Sequence, residues 1–197
     1  MPVETRQITH EDIMALEDYA KVRMEKRRAL IPTKKLRRIE VGPYATFYFE
    51  SYETMLAQVQ EMLYIEKGGD EQLEDELSAY NPMIPQGTDL SATLMFEIDD
   101  PIRRLNILLR LGGVEEKCFI QVGEEKIYAD PEQEVERTSE DGKTSAVHFL
   151  HFRFSAEQVA AFKAADTQIL LGFEHENYAH LTILSPATLE ELAKDFA

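Results

Sequence analysis

The sequence predicts an α+β fold with a mixed, largely antiparallel sheet, flanking helices and a helical N-terminal arm. Two observations predict this class. Short runs in which apolar and polar residues alternate recur along the chain, as in strands with one buried face. Helical patterns with capping residues lie between these runs, and the mixture of strands, helices and hairpins with antiparallel-looking returns favours this class.

Capping residues and prolines mark the predicted helix ends. Thr9, three residues before Asp12, begins a short helix that contains Ile13, Leu16 and Tyr19. We expect the basic stretch that follows to be helical until the Ile31-Pro32 step, because a residue before proline avoids the helical conformation. The other predicted helices span 52–67, 70–80, about 101–111, 155–164 and 186 to about 195.

The strands are predicted from alternation and from the turns between them. The runs on either side of Gly42-Pro43 favour a hairpin. Residues 81–87 contain two prolines and predict either a linker or a rigid site loop. Residues 130–143 are strongly polar and predict an exposed, mobile loop. The predicted strands span 36–41, 44–50, 92–98, 117–122, 125–128, 145–154, 167–173 and 180–184.

Length and composition predict one domain. A chain of 197 residues, 44% hydrophobic, can bury a substantial core, and we divide it into a helical basic arm, 1–35, and an α+β body, 36–197. The lack of both a long apolar run and a secretory signal predicts a cytoplasmic protein that does not bind membranes. The lone Cys118 agrees with this, since it cannot form an intrachain disulfide. We interpret it as a small apolar strand residue.

Charge is distributed unevenly. The net charge of −16 argues against nucleic acid as a partner. Residues 21–38 nevertheless contain nine Lys and Arg against Glu25 alone, so this stretch is +8 and the remainder −24. The stretch could pack on acidic segments of its own or a neighbouring subunit, which leaves a homodimer open, or it could bind anionic polymers.

Glu66 and His148 are polar residues on otherwise apolar faces. Glu66 follows Met55, Val59 and Met62 along one stripe of a helix, and His148 alternates with apolar residues of a strand. With His175 or His180 they could form a two-histidine, one-carboxylate site for iron, manganese or zinc, with Glu61 or Tyr64 placed to move a proton. Alternatively, Glu66 and His148 pair with each other or with the basic arm, or Glu66 reaches water near the helix end.

Motifs for other chemistries are absent from the sequence. No serine elbow, reactive Cys-His pair or phosphate-binding loop is present, which makes acyl transfer and nucleotide hydrolysis poor candidates. His151 lies on the opposite strand face from His148, and we expect it to be exposed. His10 lies in the first turn of a helix, and we expect it to face solvent.

Three segments resemble an uncharacterised bacterial family with a domain of unknown function. They are QVQEML with Ile65-Glu66, the segment Glu76-Leu77 to Ile84-Pro85, and TSAVHFL at 144–150. Members tend to be encoded beside rubrerythrin and an iron-sulfur oxidoreductase of the heterodisulfide-reductase type. The resemblance implies a part in peroxide or redox chemistry, with these proteins as partners, and adds Tyr80 and Asn81 as pocket candidates.

These observations lead to three hypotheses. The first is an accessory protein of a redox or oxidative-stress system that acts through protein partners. The second is a metal-binding protein or metal-dependent enzyme with the His and carboxylate site described above. The third, of lesser weight, is a binder of anionic polymers through the basic arm.

Overall fold

Two antiparallel sheets enclose the main hydrophobic core. The computed structural model describes residues 6–132, 143–164 and 167–197. Its strands are β1 (Arg38–Val41), β2 (Ala45–Phe49), β3 (Asp89–Phe96), β4 (Cys118–Val122), β5 (Glu125–Tyr128), β6 (Asp130–Pro131), β7 (Val147–Arg153), β8 (Ile169–His175) and β9 (Tyr178–Ile183). The first sheet has the order β1-β2-β3-β7-β6 and the second β5-β4-β8-β9, with all neighbours antiparallel.

The core forms because each strand alternates its side chains between two faces. Phe47 on β2, Leu94 on β3 and Leu150 on β7 are fully buried on the inner face of the first sheet, where they meet Ile120 and Leu171 of the second. Burial of one such side chain contributes about 2 kcal/mol. The predicted α+β class is confirmed, although the strands divide into two sheets rather than one.

Six helices accompany the sheets in the described residues. They are α1 (Leu16–Arg37), α2 (Tyr52–Glu66), α3 (Gly69–Tyr80), α4 (Pro101–Leu108), α5 (Ala156–Lys163) and α6 (Pro186–Leu192). Side-chain oxygens of Ser51, Asp100, Ser155 and Ser185 accept backbone N–H groups at four of their N-termini, as expected from their capping preference. A second apolar cluster joins α2 and α3 to Phe149, on the outer face of β7. The first sheet is therefore covered on both faces.

Helix α1 differs most from the prediction. Thr9 and Asp12 do form a capping box, but they cap only a 3₁₀ turn, His10–Asp12, before α1 begins at Leu16. The expected end at Ile31 is wrong, because α1 contains Pro32 and continues to Arg37. Proline removes one helical hydrogen bond, and tertiary contacts of Tyr19 and Arg37, the two buried residues of α1, hold the helix on both sides of this defect.

Two further predictions can be compared with the structure. The predicted boundary between arm and body, after residue 35, lies inside α1. Most of the predicted mobile loop at 130–143 lies outside the described residues, which end at Glu132 and resume at Lys143. Within the described ranges, each helix is too short or too polar to cross a lipid bilayer.

Candidate functional site

A pocket of about 640 Å³ lies between α1, α2 and the outer face of the first sheet. Its apolar lining includes three methionines and two residues of β7: Met55, Met83, Met95, Val147 and Phe149. Strand pairing explains how distant segments meet here, since Thr93 is directly opposite Tyr48 on one side and Phe149 on the other, and Met95 is opposite Val147. These side chains share the outer face because strand residues two apart point the same way.

Glu50 is a buried acidic group in this pocket. It follows β2 directly and is only 9% exposed. Its two carboxyl oxygens accept hydrogen bonds from the hydroxyls of Thr54, at 2.7 Å, and Thr93, at 2.8 Å. Burial raises the pKa of Glu50 above its usual range, although these hydroxyls and nearby cations act in the opposite direction. The pocket therefore contains a carboxyl group that is costly to ionise.

Four cationic residues, Lys34, Lys35, Arg37 and Arg38, also line the pocket. Arg37 is engaged elsewhere, with Asp195 and other C-terminal groups. Arg38 pairs with Glu40 of β1 and with Glu97, which follows β3. Lys34 and Lys35 are exposed, and within the described part of the chain neither ammonium group makes an ion pair or hydrogen bond. The pocket thus has two lysines available to an anion.

Glu66 and His148 do not share a pocket, and the expectation that they do is wrong. Glu66 is exposed at the last residue of α2, where it accepts a hydrogen bond from Gln72. His148 points to the opposite, inner face of the first sheet, where it is fully buried against Phe96. The second apolar cluster covers α2 only as far as Leu63, which is buried, whereas Ile65 is 62% exposed. The apolar stripe that the sequence predicts on α2 is therefore not buried at its C-terminal end.

The three histidine candidates lie in separate surroundings. The Nε2 atom of His148 is 2.9 Å from the Ser145 carbonyl oxygen and 3.2 Å from the Thr144 hydroxyl. His175 uses both ring nitrogens on backbone groups, with Nδ1 accepting from the Asn177 N–H and Nε2 facing the Gly112 carbonyl. His180 packs edge-on against Tyr178. In the described residues no three His, Cys, Asp or Glu side chains are grouped to hold a metal.

Glu61 and Tyr64 do not form a proton-transfer pair. Arg23 donates two hydrogen bonds of 2.8 Å to Glu61, and the Tyr19 hydroxyl donates another of 2.6 Å. The Arg23 guanidinium is the main cause that lowers the pKa of Glu61 to about 2. The same guanidinium lies over the Tyr64 ring. Glu61 therefore stays ionised at neutral pH and joins α1 to α2, which argues against a role as an acid or base.

The two remaining candidates, Tyr80 and Asn81, lie in different places. Tyr80 lines the pocket, with its hydroxyl 3.5 Å from Gln58 Nε2. Asn81 instead bonds both backbone groups of Ile8 and fixes the N-terminal segment.

His151 is half-buried rather than exposed, because Asp89 and Glu132 flank its ring, and the Asp89 carboxylate is the main cause that raises its pKa. His10 is exposed, as expected, and contacts Glu74.

Sequence reasoning missed Glu50 and the pocket role of Lys34 and Lys35. One signal was available: Thr46, Tyr48 and Glu50 alternate with Phe47 and Phe49, which gives β2 a polar face. That face could have been assigned to a cleft, but nothing local identifies α1 and α2 as its walls. The lysines were attributed to a general basic arm for the same reason.

Comparisons with known proteins identify a family and a similar structure. The family model described as "Protein of unknown function (DUF3501)" matches residues 7–196. A 1.90 Å crystal structure of a protein of unknown function from Burkholderia pseudomallei K96243 has a TM-score of 0.89 and 35% sequence identity, with 97% of this chain and 100% of that chain covered. No curated protein matches.

Neither description gives an activity, a metal or a partner. The redox role, metal binding in general, the anionic polymer and the partner proteins accordingly stay predictions, and a fold alone does not imply function. The resemblance found in the sequence is confirmed at the level of the family. Because the family model matches nearly the whole length of the chain, the chain belongs to the DUF3501 family of proteins of unknown function.

Proposed function

We propose that this protein binds an amphipathic organic anion in the pocket between α1, α2 and the first sheet. The apolar part of the ligand lies over Met55, Met95 and Phe149, and its anionic group pairs with Lys34 and Lys35. The observation that carries the proposal is the combination of an apolar cavity with two lysines that have no ion-pair partner in the described residues.

The volume and lining support a small organic ligand. Ligand pockets of proteins measure roughly 300–1,000 Å³ and are mainly apolar with a few polar groups, and this pocket measures about 640 Å³. Methionine side chains are flexible and polarisable, so they adapt to ligands of different shape. A ligand that buries ten CH₂ groups here would gain about 8 kcal/mol before the costs of binding.

The charge distribution supports an anionic head group. The chain as a whole carries −16, so its surface repels anions in general. The pocket, in contrast, is lined by four cations and the single acidic residue Glu50. Such a local reversal of charge attracts an anion to this place on the surface, and the apolar walls strengthen the attraction because they exclude water.

The test is calorimetric titration with decanesulfonate, which has a ten-carbon chain and a permanently ionised head. Lys34→Glu/Lys35→Glu should weaken binding at least about tenfold, because two favourable charges become repulsive. Lys21→Glu/Lys26→Glu is the matched control: both lysines are exposed on α1 and neither lines the pocket. Equal weakening by the two double variants would mean that only the net charge of the protein matters.

A second variant tests the apolar half. Met95→Trp, a half-buried position of β3 in the pocket lining, should fill the cavity and reduce binding while circular dichroism shows the fold retained. Mass spectrometry of small molecules released on denaturing freshly purified protein would identify a ligand bound in the cell. No binding of decanesulfonate by the wild type would reject the proposal.

A further inference from the structure

Glu50 and Lys34 are two charged groups of the same pocket. Both line it, and the Lys34 ammonium is close enough to lower the pKa of the Glu50 carboxyl by Coulombic attraction. Any ligand whose negative charge is held by Lys34 therefore also approaches Glu50. An ionised Glu50 would repel that ligand, whereas a neutral Glu50 could donate its O–H to it.

Apart from Lys34, the groups around Glu50 do little to stabilise a negative charge on its carboxylate. From α2 and β3 it is met by the neutral hydroxyls of Thr54 and Thr93. From α1 it is met by Lys34 and by Arg37, and Arg37 bonds the backbone oxygen of Glu50, not its carboxyl. The charge of Arg37 is opposed by Asp195 and Glu191, which bond the same guanidinium. Lys35 and Arg38, the other cations of the lining, face the shared space.

We infer that the organic anion and a proton enter this pocket together, with the proton taken up from solvent by the carboxylate of Glu50. This inference rests on the proposed function and adds its regulation. When the Lys34 ammonium pairs with the ligand, the negative charge of the ligand offsets the attraction of Lys34 for the Glu50 carboxylate, and this change favours the neutral acid. The new O–H of Glu50 then donates to the anionic oxygen of the ligand. No bond other than that of the proton to oxygen forms.

The burial of Glu50 prepares this step. Burial already raises its pKa in the free protein, so ligand binding displaces the protonation equilibrium further in the same direction. Above the pKa of the free protein and below that of the complex, the affinity should fall by up to about tenfold for each pH unit. The site would thus retain its ligand in acidic conditions and release it as the pH rises.

The experiment is titration of decanesulfonate at pH 6–9 in pairs of buffers with different ionisation enthalpies. The probe does not titrate in this range, so any pH dependence comes from the protein. We expect uptake of about 0.5–1 proton per bound ligand in the part of the range where the affinity falls. Glu50→Gln should bind with no proton uptake attributable to this site and with a nearly flat pH profile. Glu53→Gln is the matched control, because Glu53 is exposed and outside the lining.

Other outcomes separate this inference from the proposed function. Wild-type binding that depends on Lys34 and Lys35, with no proton uptake and no pH dependence, would overturn the role of Glu50 and leave the ligand pocket intact. If Glu50→Gln does not fold, Thr93→Val provides the test, since loss of a hydroxyl donor to the carboxylate should move the fall in affinity to higher pH. An unmoved profile in Thr93→Val would overturn the inference as well.

Discussion

Replacement of Arg37 by methionine should destabilise the protein strongly. The change preserves an unbranched apolar stem and removes a guanidinium that is only 3% exposed. That guanidinium donates two hydrogen bonds of 2.8 Å to the Asp195 carboxylate, one of 3.1 Å to Glu191 and one of 2.9 Å to the Glu50 carbonyl. Asp195 and Glu191, at 4% and 7% exposure, would be left without their buried partner.

The magnitude follows from this geometry. Removal of one partner of a buried ion pair costs about 3–5 kcal/mol, because the other charge stays buried and uncompensated. A domain is stable by only about 5–15 kcal/mol, so Arg37→Met should lose a large part of its stability. Arg23→Met provides the comparison, since the Arg23 and Glu61 side chains are 24% and 18% exposed and their loss should cost about 1–2 kcal/mol.

Urea unfolding followed by circular dichroism measures both losses. Adding Asp195→Asn to Arg37→Met should recover part of the lost stability, because the uncompensated charge is then removed. The loss should also become smaller as the pH falls and the two carboxylates take up protons. A loss below about 1 kcal/mol, or one no larger than that of Arg23→Met, would refute the reasoning that this cluster anchors α1 to the C-terminal segment.

Two further predictions concern Glu61 and Gly42. Glu61→Gln should reduce stability at neutral pH, because the pKa of Glu61 is about 2 in the folded protein and near 4.5 when unfolded. The difference in stability from wild type should shrink as urea unfolding is repeated from pH 5 towards 2. A difference independent of pH would contradict this. Gly42→Ala should lower the melting temperature more than Gly113→Ala. Both glycines have positive φ, but of the two only Gly42 would place a Cβ 2.6 Å from the His180 ring. Equal shifts in melting temperature would show that backbone strain alone matters.

Local signals predicted the elements better than their ends. The Ser155 cap and Pro101 at a helix start were correct because capping depends on a few neighbouring residues. Pro32 misled because the helix around it is held by contacts with distant segments, including the Arg37 cluster at its C-terminal end. A rule based on neighbours has no access to such contacts.

The failure at Glu66 has the same origin. A helical stripe defines a face of α2, but whether that face is covered depends on how far the helix extends over the sheet. Met55 and Val59 are covered, whereas Ile65 and Glu66 are beyond the covered part. Periodicity therefore identified the buried face of α2 correctly, but not the residue at which its burial ends.

Glu50 shows why a site of this kind is evident in the structure but not in the sequence. Its environment is assembled from α1, α2 and β3, and in the sequence it is one carboxylate at the end of an ordinary strand. A stability argument alone would not place a carboxyl there, because glutamine could meet Thr54 and Thr93 without the cost of burying a charge. In the described structure the only buried guanidinium nearby is that of Arg37, which bonds the Glu50 backbone oxygen and pairs with the carboxylates of Asp195 and Glu191. A buried acid whose neighbouring guanidinium is engaged by other carboxylates has its best explanation in what the pocket binds.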